Sequence, residues 1–252
     1  MTGFAAEWLA LRAPADTAAR DGALLHAAAA FAGDGLISDI GGGSGATFRA
    51  LAPLAPAARW RVLDADETLL SQLPDDPKIE PVAVDLAVDP GAIFAKTPAL
   101  VAASAFFDLA SAEWIDDFAA RLARSGAPLY AALTYDGRER WAPEPPHESE
   151  ALAAFHADMR RDKGLGSALG PGAHRALATA LARFGYQVSE AQSDWRLSRP
   201  RFASLIVALA QGGGDALSGA LPDAAHREWL TGRIGASDVL IGHMDLLAIP
   251  PR

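Results

Sequence analysis

The sequence predicts an α/β fold with a doubly wound, mostly parallel sheet and helices on both faces. Short runs rich in β-branched and aromatic residues alternate with amphipathic helical segments, as in consecutive βαβ units. Four glycines within the five positions 41–45 directly follow the first apolar run. The chain closes with a long apolar run at 239–249, which predicts a final strand.

The first five strands are expected at 36–40, 59–64, 81–84, 99–104 and 129–133. The helix after the fourth strand has a buried stripe at i, i+3, i+4 and i+7, made by Ile115, Phe118, Ala119 and Leu122. A later helix is expected to bury Leu177, Leu181 and Phe184 before a sixth strand begins at Tyr186. The next helix buries Phe202, Leu205, Ile206 and Leu209, and 211–214 is expected to be a flexible glycine connection.

The glycine segment predicts a cofactor loop, because glycine adopts backbone angles that other residues avoid and lets a ligand lie against the main chain. Gly41-x-Gly43-x-x-Ala46 fits the dinucleotide fingerprint. Asp39-x-Gly41-x-Gly43-x-Gly45 resembles motif I of the class I S-adenosylmethionine (AdoMet) methyltransferases. The carboxylate of Asp39 would repel a pyrophosphate and attract the AdoMet ammonium group, which favours the methyltransferase interpretation.

Downstream acids extend the predicted cofactor site. Asp64 lies 19 residues beyond Gly45, near the spacing of an acid that binds two ribose hydroxyls in AdoMet or NAD, and it argues against NADP. Asp66 is expected instead to cap the following helix. The family resemblance implies that Asp85 accepts from the adenine amino group and that the Leu86 backbone meets the ring. It also assigns Ala65 and Ser104 to the cofactor site.

The order of elements resembles the seven-stranded class I fold over residues 35–250, with an antiparallel last strand. Specific motifs are confined to 36–45, 60–66 and 82–86. None of the three tyrosines has a lysine four residues later, so the Tyr-x-x-x-Lys pair of short-chain dehydrogenases is absent. The resemblance implies methyl transfer from AdoMet to a small-molecule acceptor by in-line attack on the sulfonium methyl, with S-adenosylhomocysteine as product. An NAD-dependent Rossmann oxidoreductase and a non-catalytic AdoMet-binding regulator are the alternatives.

Composition narrows the class of protein further. The 252 residues contain no cysteine, which excludes disulfides, thiolate zinc sites and radical AdoMet clusters. Histidine spacing indicates no metal site. With 22 basic and 31 acidic residues the formal charge is −9, which counts against a nucleic-acid substrate. We expect no membrane span and no secretory signal, hence a cytoplasmic protein. The sequence leaves the oligomeric state open.

The N-terminal residues 1–34 are expected to form a helical cover over the AdoMet-binding domain, residues 35–252. A helix is predicted from Asp16, with Leu24, Ala28 and Phe31 facing inward. In this cover Arg12 or Arg20 could meet the AdoMet carboxylate, and Arg20 is assigned to the cofactor. Trp8 and Arg12 are candidates for acceptor binding. The alternative for each arginine is a solvated helix charge.

An insertion at about 137–175 is predicted to form a lid over the acceptor, because glycines follow its amphipathic helix. Arg160 and Lys163 are its candidate acceptor-binding residues. Two basic islands, Arg160, Arg161 and Lys163 and then Arg196, Arg199 and Arg201, would suit an anionic small substrate if both border the cleft. The alternative for both islands is solvent-exposed charge. His156 and Tyr135, which lies at the end of the fifth strand, are candidate catalytic residues that act as general base or orient the acceptor. A helix-edge histidine with a structural hydrogen bond is the alternative for His156.

Overall fold

The computed structural model describes residues 6–251. Its strands are β1 (Leu36–Ile40), β2 (Arg59–Asp64), β3 (Ile79–Ala83), β4 (Leu100–Ser104), β5 (Leu129–Ala142), β6 (Gln187–Gln192), β7 (Trp195–Ser198) and β8 (Asp238–Ile249). Its α-helices are α1 (Ala6–Ala19), α2 (Gly22–Ala32), α3 (Ala46–Leu51), α4 (Glu67–Leu70), α5 (Ala112–Ser125), α6 (Glu148–Met159), α7 (Ala173–Arg183), α8 (Ala203–Ala216) and α9 (Asp223–Ile234). Short 3₁₀ turns occupy Pro90–Phe94, Phe107–Leu109 and Gly170–Gly172.

One sheet has the strand order β3-β2-β1-β4-β5-β8-β6, and β7 also pairs with β8. The five strands from β3 to β5 are parallel, whereas β8 runs antiparallel to β5, β6 and β7. The doubly wound sheet and its antiparallel last strand are therefore confirmed. Within residues 6–251 the sheet has one strand more than the seven that were predicted. The additional strand is β7, which pairs with the first part of β8, whereas β6 pairs with the second part.

Both faces of the sheet are covered. Ile40, Leu63 and Val101 pack on one face in the core formed with α5 and α7. Their chain neighbours Val62 and Leu100 pack on the opposite face in the core formed with α2 and α3. Neighbouring residues of a strand point to opposite faces of the sheet. These strands are apolar almost throughout because both of their faces are buried. A third core joins α1 and α8 to β5, β7 and β8.

The N-terminal helices differ from the sequence prediction. A helix was predicted to begin at Asp16, but Asp16 lies inside α1, which runs from Ala6 to Ala19. The second helix begins after Asp21, whose carboxylate accepts from the Leu24 N–H at 2.8 Å. Ala28 is fully buried as predicted, but Phe31 is 43% exposed because α2 packs through its alanines. Phe184, at the end of α7, is also 43% exposed and was wrongly predicted to be buried.

Residues 211–214 are not a flexible connection, because they lie inside α8. A β-carbon on Gly213 would lie 3.2 Å from the Trp229 ring, and one on Gly214 would lie 3.2 Å from Leu230. These glycines therefore let α8 approach α9 closely.

The fifth strand is much longer than predicted. It continues to Ala142, and in this extension Glu139, Arg140 and Trp141 pair with the first part of β8. The first six residues of the predicted lid, 137–142, are thus part of the sheet. Among residues 6–251, every helix is too short or too polar to cross a bilayer.

Candidate functional site

A cavity of about 1130 Å³ opens at the carboxyl ends of the parallel strands. Its floor is the glycine loop after β1 and the residues after β2, β3 and β4. Helix α1 borders one side, and Lys163, Leu165 and Arg201 complete the wall. Open α/β sheets bind ligands at this edge, and the volume suits a cofactor together with a small second molecule.

The glycine loop has a backbone that side chains would disrupt. Gly41, Gly43 and Gly45 have φ values of +61°, +49° and +88°, in the left-handed region that favours glycine. A β-carbon on Gly41 would lie 2.4 Å from the Phe106 ring. On Gly43 it would meet no atom closer than 3.5 Å, and its neighbours would be Leu69, Asp64 and Leu9. A side chain on Gly43 would therefore find ordinary contacts but would need a strained backbone, and the residue itself borders the cavity.

Asp64, at the end of β2, is held in place by the backbone. Its Oδ2 accepts from the Gly43 N–H at 2.8 Å, and its Oδ1 accepts from the Asp66 N–H at 2.9 Å. The carboxylate is partly exposed and borders the cavity. Asp66 caps α4 through the Thr68 and Leu69 N–H groups, which confirms its predicted structural role.

Arg20 lies in the turn between α1 and α2 and reaches the end of β4. Its Nη2 donates to the Ser104 hydroxyl at 2.8 Å, and both residues border the cavity. The residue is only 9% exposed, and its Nη1 is buried without a hydrogen-bond partner. A buried donor without a partner is costly, so this guanidinium is suited to bind an anionic group of a ligand.

Asp39 lies beneath the glycine loop and does not border the cavity. A β-carbon on Gly42 would lie 2.8 Å from the Oδ2 of Asp39. Neither carboxyl oxygen of Asp39 meets hydrogen-bond geometry with a partner, and the Thr47 hydroxyl also lacks one. Complete burial raises the pKa of Asp39 to about 7, against the opposing influence of Thr47 and Arg20. Its contact with an ammonium group therefore stays a prediction.

Most of the remaining residues predicted to bind the cofactor border the cavity, but one does not. Ala65, Asp85 and Leu86 border the cavity, whereas Gly45 does not. Asp85 is exposed, and its Oδ1 accepts from the Ala87 N–H at 2.9 Å. The buried Leu86 accepts from the Trp114 indole N–H at 3.0 Å through its carbonyl. Their predicted contacts with adenine are untested.

Two of the four predicted acceptor-binding residues border the cavity. These are Arg12, which pairs with Asp16 at 3.0 Å, and Lys163. Trp8 instead packs against the third core, and Arg160 is exposed outside the cavity lining.

The structure brings Tyr135 and His156 together, away from the cavity lining. The Tyr135 oxygen is 3.0 Å from His156 Nε2, and its hydroxyl donates to Glu139 at 3.0 Å. Burial raises the pKa of Tyr135 well above its ordinary value and lowers the pKa of His156. Their catalytic roles stay a prediction that this location does not support. Residues 6–251 hold no cluster of three or more potential metal ligands.

Several residues that line the cavity were missed by sequence reasoning. They are Arg49, Glu67, Ala105, Phe106 and Leu109. Phe106 and Leu109 lie within five residues of the end of β4, a position that could have identified them. Of the predicted basic island Arg196, Arg199 and Arg201, the structure places Arg201 alone among the residues that border the cavity.

Comparison with solved structures fits this arrangement. The cyclopropane-fatty-acyl-phospholipid synthase-like protein of Lactobacillus casei aligns with a TM-score of 0.56 and 14% identity over 98% of this chain and 95% of its own. Precorrin-6y C5,15-methyltransferase of Geobacter metallireducens aligns with a TM-score of 0.50 and 11% identity over 91% of this chain and 86% of its own. This chain has the class I methyltransferase fold. At these identities the similarity establishes the fold alone.

The comparisons that rest on sequence found no relative of this chain. No protein-family model matches the chain, and the search of curated proteins found no match. The residues that border the cavity therefore have to support any statement about activity.

Proposed function

We propose that this protein transfers a methyl group from AdoMet to a small-molecule acceptor. The observation that supports it most is the placement of opposite charges on the two sides of one glycine loop. Strand β1 lies between β2 and β4 in the sheet. Asp64 ends β2 and offers a carboxylate, whereas Arg20 meets the end of β4 with a buried Nη1 that has no partner.

These two groups fit the two ends of AdoMet. The oriented Asp64 carboxylate can accept from both ribose hydroxyls, since carboxylate oxygens accept more than one hydrogen bond. The partnerless Nη1 of Arg20 can donate to the carboxylate of the amino-acid end. The backbone of Gly41, Gly42 and Gly43 borders the cavity between these two groups, where the ligand would lie.

AdoMet, when bound, supplies a methyl group on a positively charged sulfur, which is already an electrophile. The protein then has mainly to position the acceptor in line and to exclude water. Helix α1 borders the cavity with Leu9, Ala13 and Pro14, an apolar wall that limits water access.

The segment 160–169 is proposed to be the part of the predicted lid that covers the acceptor. The Ser111 N–H donates to the Leu165 carbonyl at 3.1 Å, and the Leu169 N–H donates to the Ala110 carbonyl at 2.9 Å. These bonds hold Lys163 and Leu165 at the cavity beside Leu109. The acceptor would therefore lie between this segment and α1.

A ligand panel tests the proposal. The thermal unfolding of the protein is measured with AdoMet, S-adenosylhomocysteine, NAD and NADP. We expect stabilisation by the first two, of about 2.7 kcal/mol at a concentration 100 times Kd. Stabilisation by NAD alone would contradict the proposal and favour an oxidoreductase.

A second experiment separates an enzyme from an AdoMet-binding regulator. The protein is incubated with methyl-labelled AdoMet and a small-metabolite extract, and label in new products is measured by mass spectrometry. We expect at least one labelled product that is missing in the Asp64→Ala control. Binding without any labelled product would favour the regulator.

A further inference from the structure

The charges around the cavity are divided between its two sides. The acids Asp64, Asp66, Glu67 and Asp85 follow the ends of β2 and β3, on the side proposed for the cofactor. Two basic residues also lie on the cofactor side, where Arg20 donates to Ser104 and Arg49 donates to the Ser44 carbonyl. Three other basic residues border the rest of the cavity and come from three separate segments. They are Arg12 from α1, Lys163 from the loop after α6 and Arg201 from the turn before α8.

The basic side carries more positive charge than its nearest carboxylates neutralise. Asp16 is the acid that borders the cavity here, and it pairs with Arg12. Arg12 also interacts with Asp108, whose pKa burial raises to about 6 against the opposing charge of Arg12. Asp158 pairs with Lys163 at 3.4 Å and also with Arg161 at 3.2 Å, so one carboxylate serves two cations. The guanidinium of Arg201 lies 4.9 Å from the centre of the Phe202 ring and takes part in none of the ion pairs among residues 6–251.

An excess of positive charge on this wall is notable in a chain whose formal charge is −9. Two apolar residues border the cavity on this side, Leu165 from the same loop as Lys163 and Leu109, whose chain neighbour Ala110 bridges to Leu165. Arg201 is exposed and the Lys163 side chain is partly exposed, so both are hydrated without a ligand. A ligand that combines an apolar body with an anionic group would gain charge-assisted hydrogen bonds from them that a neutral ligand would not.

On the basis of the proposed function, we infer that the methyl acceptor is a small organic anion with an apolar body, whose charged group is bound by Lys163 and Arg201. Arg12, already paired with Asp16, adds to the positive potential without needing to change partner. The nucleophilic atom would then lie at the other end of the acceptor, toward Ser104 and the cofactor.

Binding of simple probes tests this inference without knowledge of the acceptor. The protein is first saturated with S-adenosylhomocysteine, and benzoate, phenyl phosphate and the neutral analogue benzamide are then titrated by calorimetry. We expect at least one anion to bind about tenfold or more tightly than benzamide, as expected for charge-assisted hydrogen bonds. Equal affinities, or no binding by any probe, would overturn the inference.

Variants of the basic residues test whether Lys163 and Arg201 cause the preference for an anionic probe over benzamide. In Lys163→Gln combined with Arg201→Gln the preference for the anion should disappear, with S-adenosylhomocysteine affinity unchanged within about twofold. Arg161→Gln is the control, because Arg161 pairs with the same Asp158 but does not border the cavity. Equal loss of preference in the control would show that the effect is only one of overall charge. Failure of S-adenosylhomocysteine itself to bind would instead contradict the proposed function.

Discussion

Two buried polar clusters in this protein differ in how completely their groups are hydrogen-bonded. In the first, the Arg233 cluster, Arg233 pairs with Glu139 at 2.8 Å and also with Glu148. The Trp141 and Trp229 rings lie 4.3 and 4.6 Å from its guanidinium carbon. In the second, the glycine-loop cluster, polar atoms of Arg20, Asp39 and Thr47 are buried without partners.

The difference indicates different roles. The Arg233 cluster links β5, α6 and α9, and its acids also accept from Tyr135, Trp141 and Trp229. Such a completed network stabilises one arrangement of the chain. In the glycine-loop cluster Arg20 borders the cavity, where a ligand can supply the hydrogen-bond partner that its Nη1 lacks. Asp39 and Thr47 do not border the cavity, so a ligand there would leave their buried polar atoms as they are.

The largest expected effect is on the stability of the Arg233 cluster. Arg233→Met keeps much of the stem between the tryptophans but leaves two buried carboxylates without their cation. We expect the free energy of unfolding to fall by about 3–5 kcal/mol. Urea denaturation measures it, with Arg227→Met, an exposed position on the same helix, as the control. Equal stability of the two variants would show that the cluster is not structural.

The second prediction concerns the glycine-loop cluster, where Asp39 should make the free energy of unfolding depend on pH. Asp39 has a folded-state pKa of about 7, above its unfolded value of 3.8, so the folded protein binds more protons between these values. Its contribution to stability is therefore present at low pH and is lost as pH rises through 7. Relative to Asp39→Asn, the wild type should lose on the order of 2–4 kcal/mol between pH 4 and 8. Parallel stability curves from urea denaturation would contradict the assigned burial.

A smaller effect is expected at Tyr135. Tyr135→Phe removes one hydrogen bond to Glu139, and we expect a loss of about 1 kcal/mol in unfolding free energy. Affinity for S-adenosylhomocysteine should stay within about twofold. If turnover with an identified acceptor falls strongly while stability is unchanged, the sequence prediction of a catalytic Tyr135 is right and its structural role is wrong.

Local patterns predicted the parts of the molecule that local chemistry determines. The β2 strand was predicted at its observed bounds, since a run of β-branched and aromatic residues ends at an acid. Asp66 caps α4 as expected. By contrast, β7 and the extension of β5 form through pairing with β8, at positions far along the chain. Their short or polar sequences do not indicate strands by themselves.

The same division applies to the candidate site. Gly43 and Asp64 lie in recognisable motifs and do meet at one cavity. Arg201 belongs to a basic island of the sequence, but only the tertiary fold decides that Arg201 borders the cavity while Arg196 and Arg199 do not. Asp39 is fully buried, with Gly42 so close that a β-carbon there would lie 2.8 Å from the Asp39 Oδ2, and spacing in the sequence does not indicate this burial.

Calorimetric titration with S-adenosylhomocysteine, for wild type and Asp64→Ala, tests the proposed cofactor site most directly. We expect the wild type to bind, and the variant to bind about 5- to 150-fold more weakly, since two ribose hydroxyls would lose their acceptor at a cost of roughly 1–3 kcal/mol. Tyr135→Phe, in the Arg233 cluster, should bind like the wild type. No binding by the wild type, or equal affinity in Asp64→Ala, would contradict the assignment of the glycine-loop cavity to AdoMet.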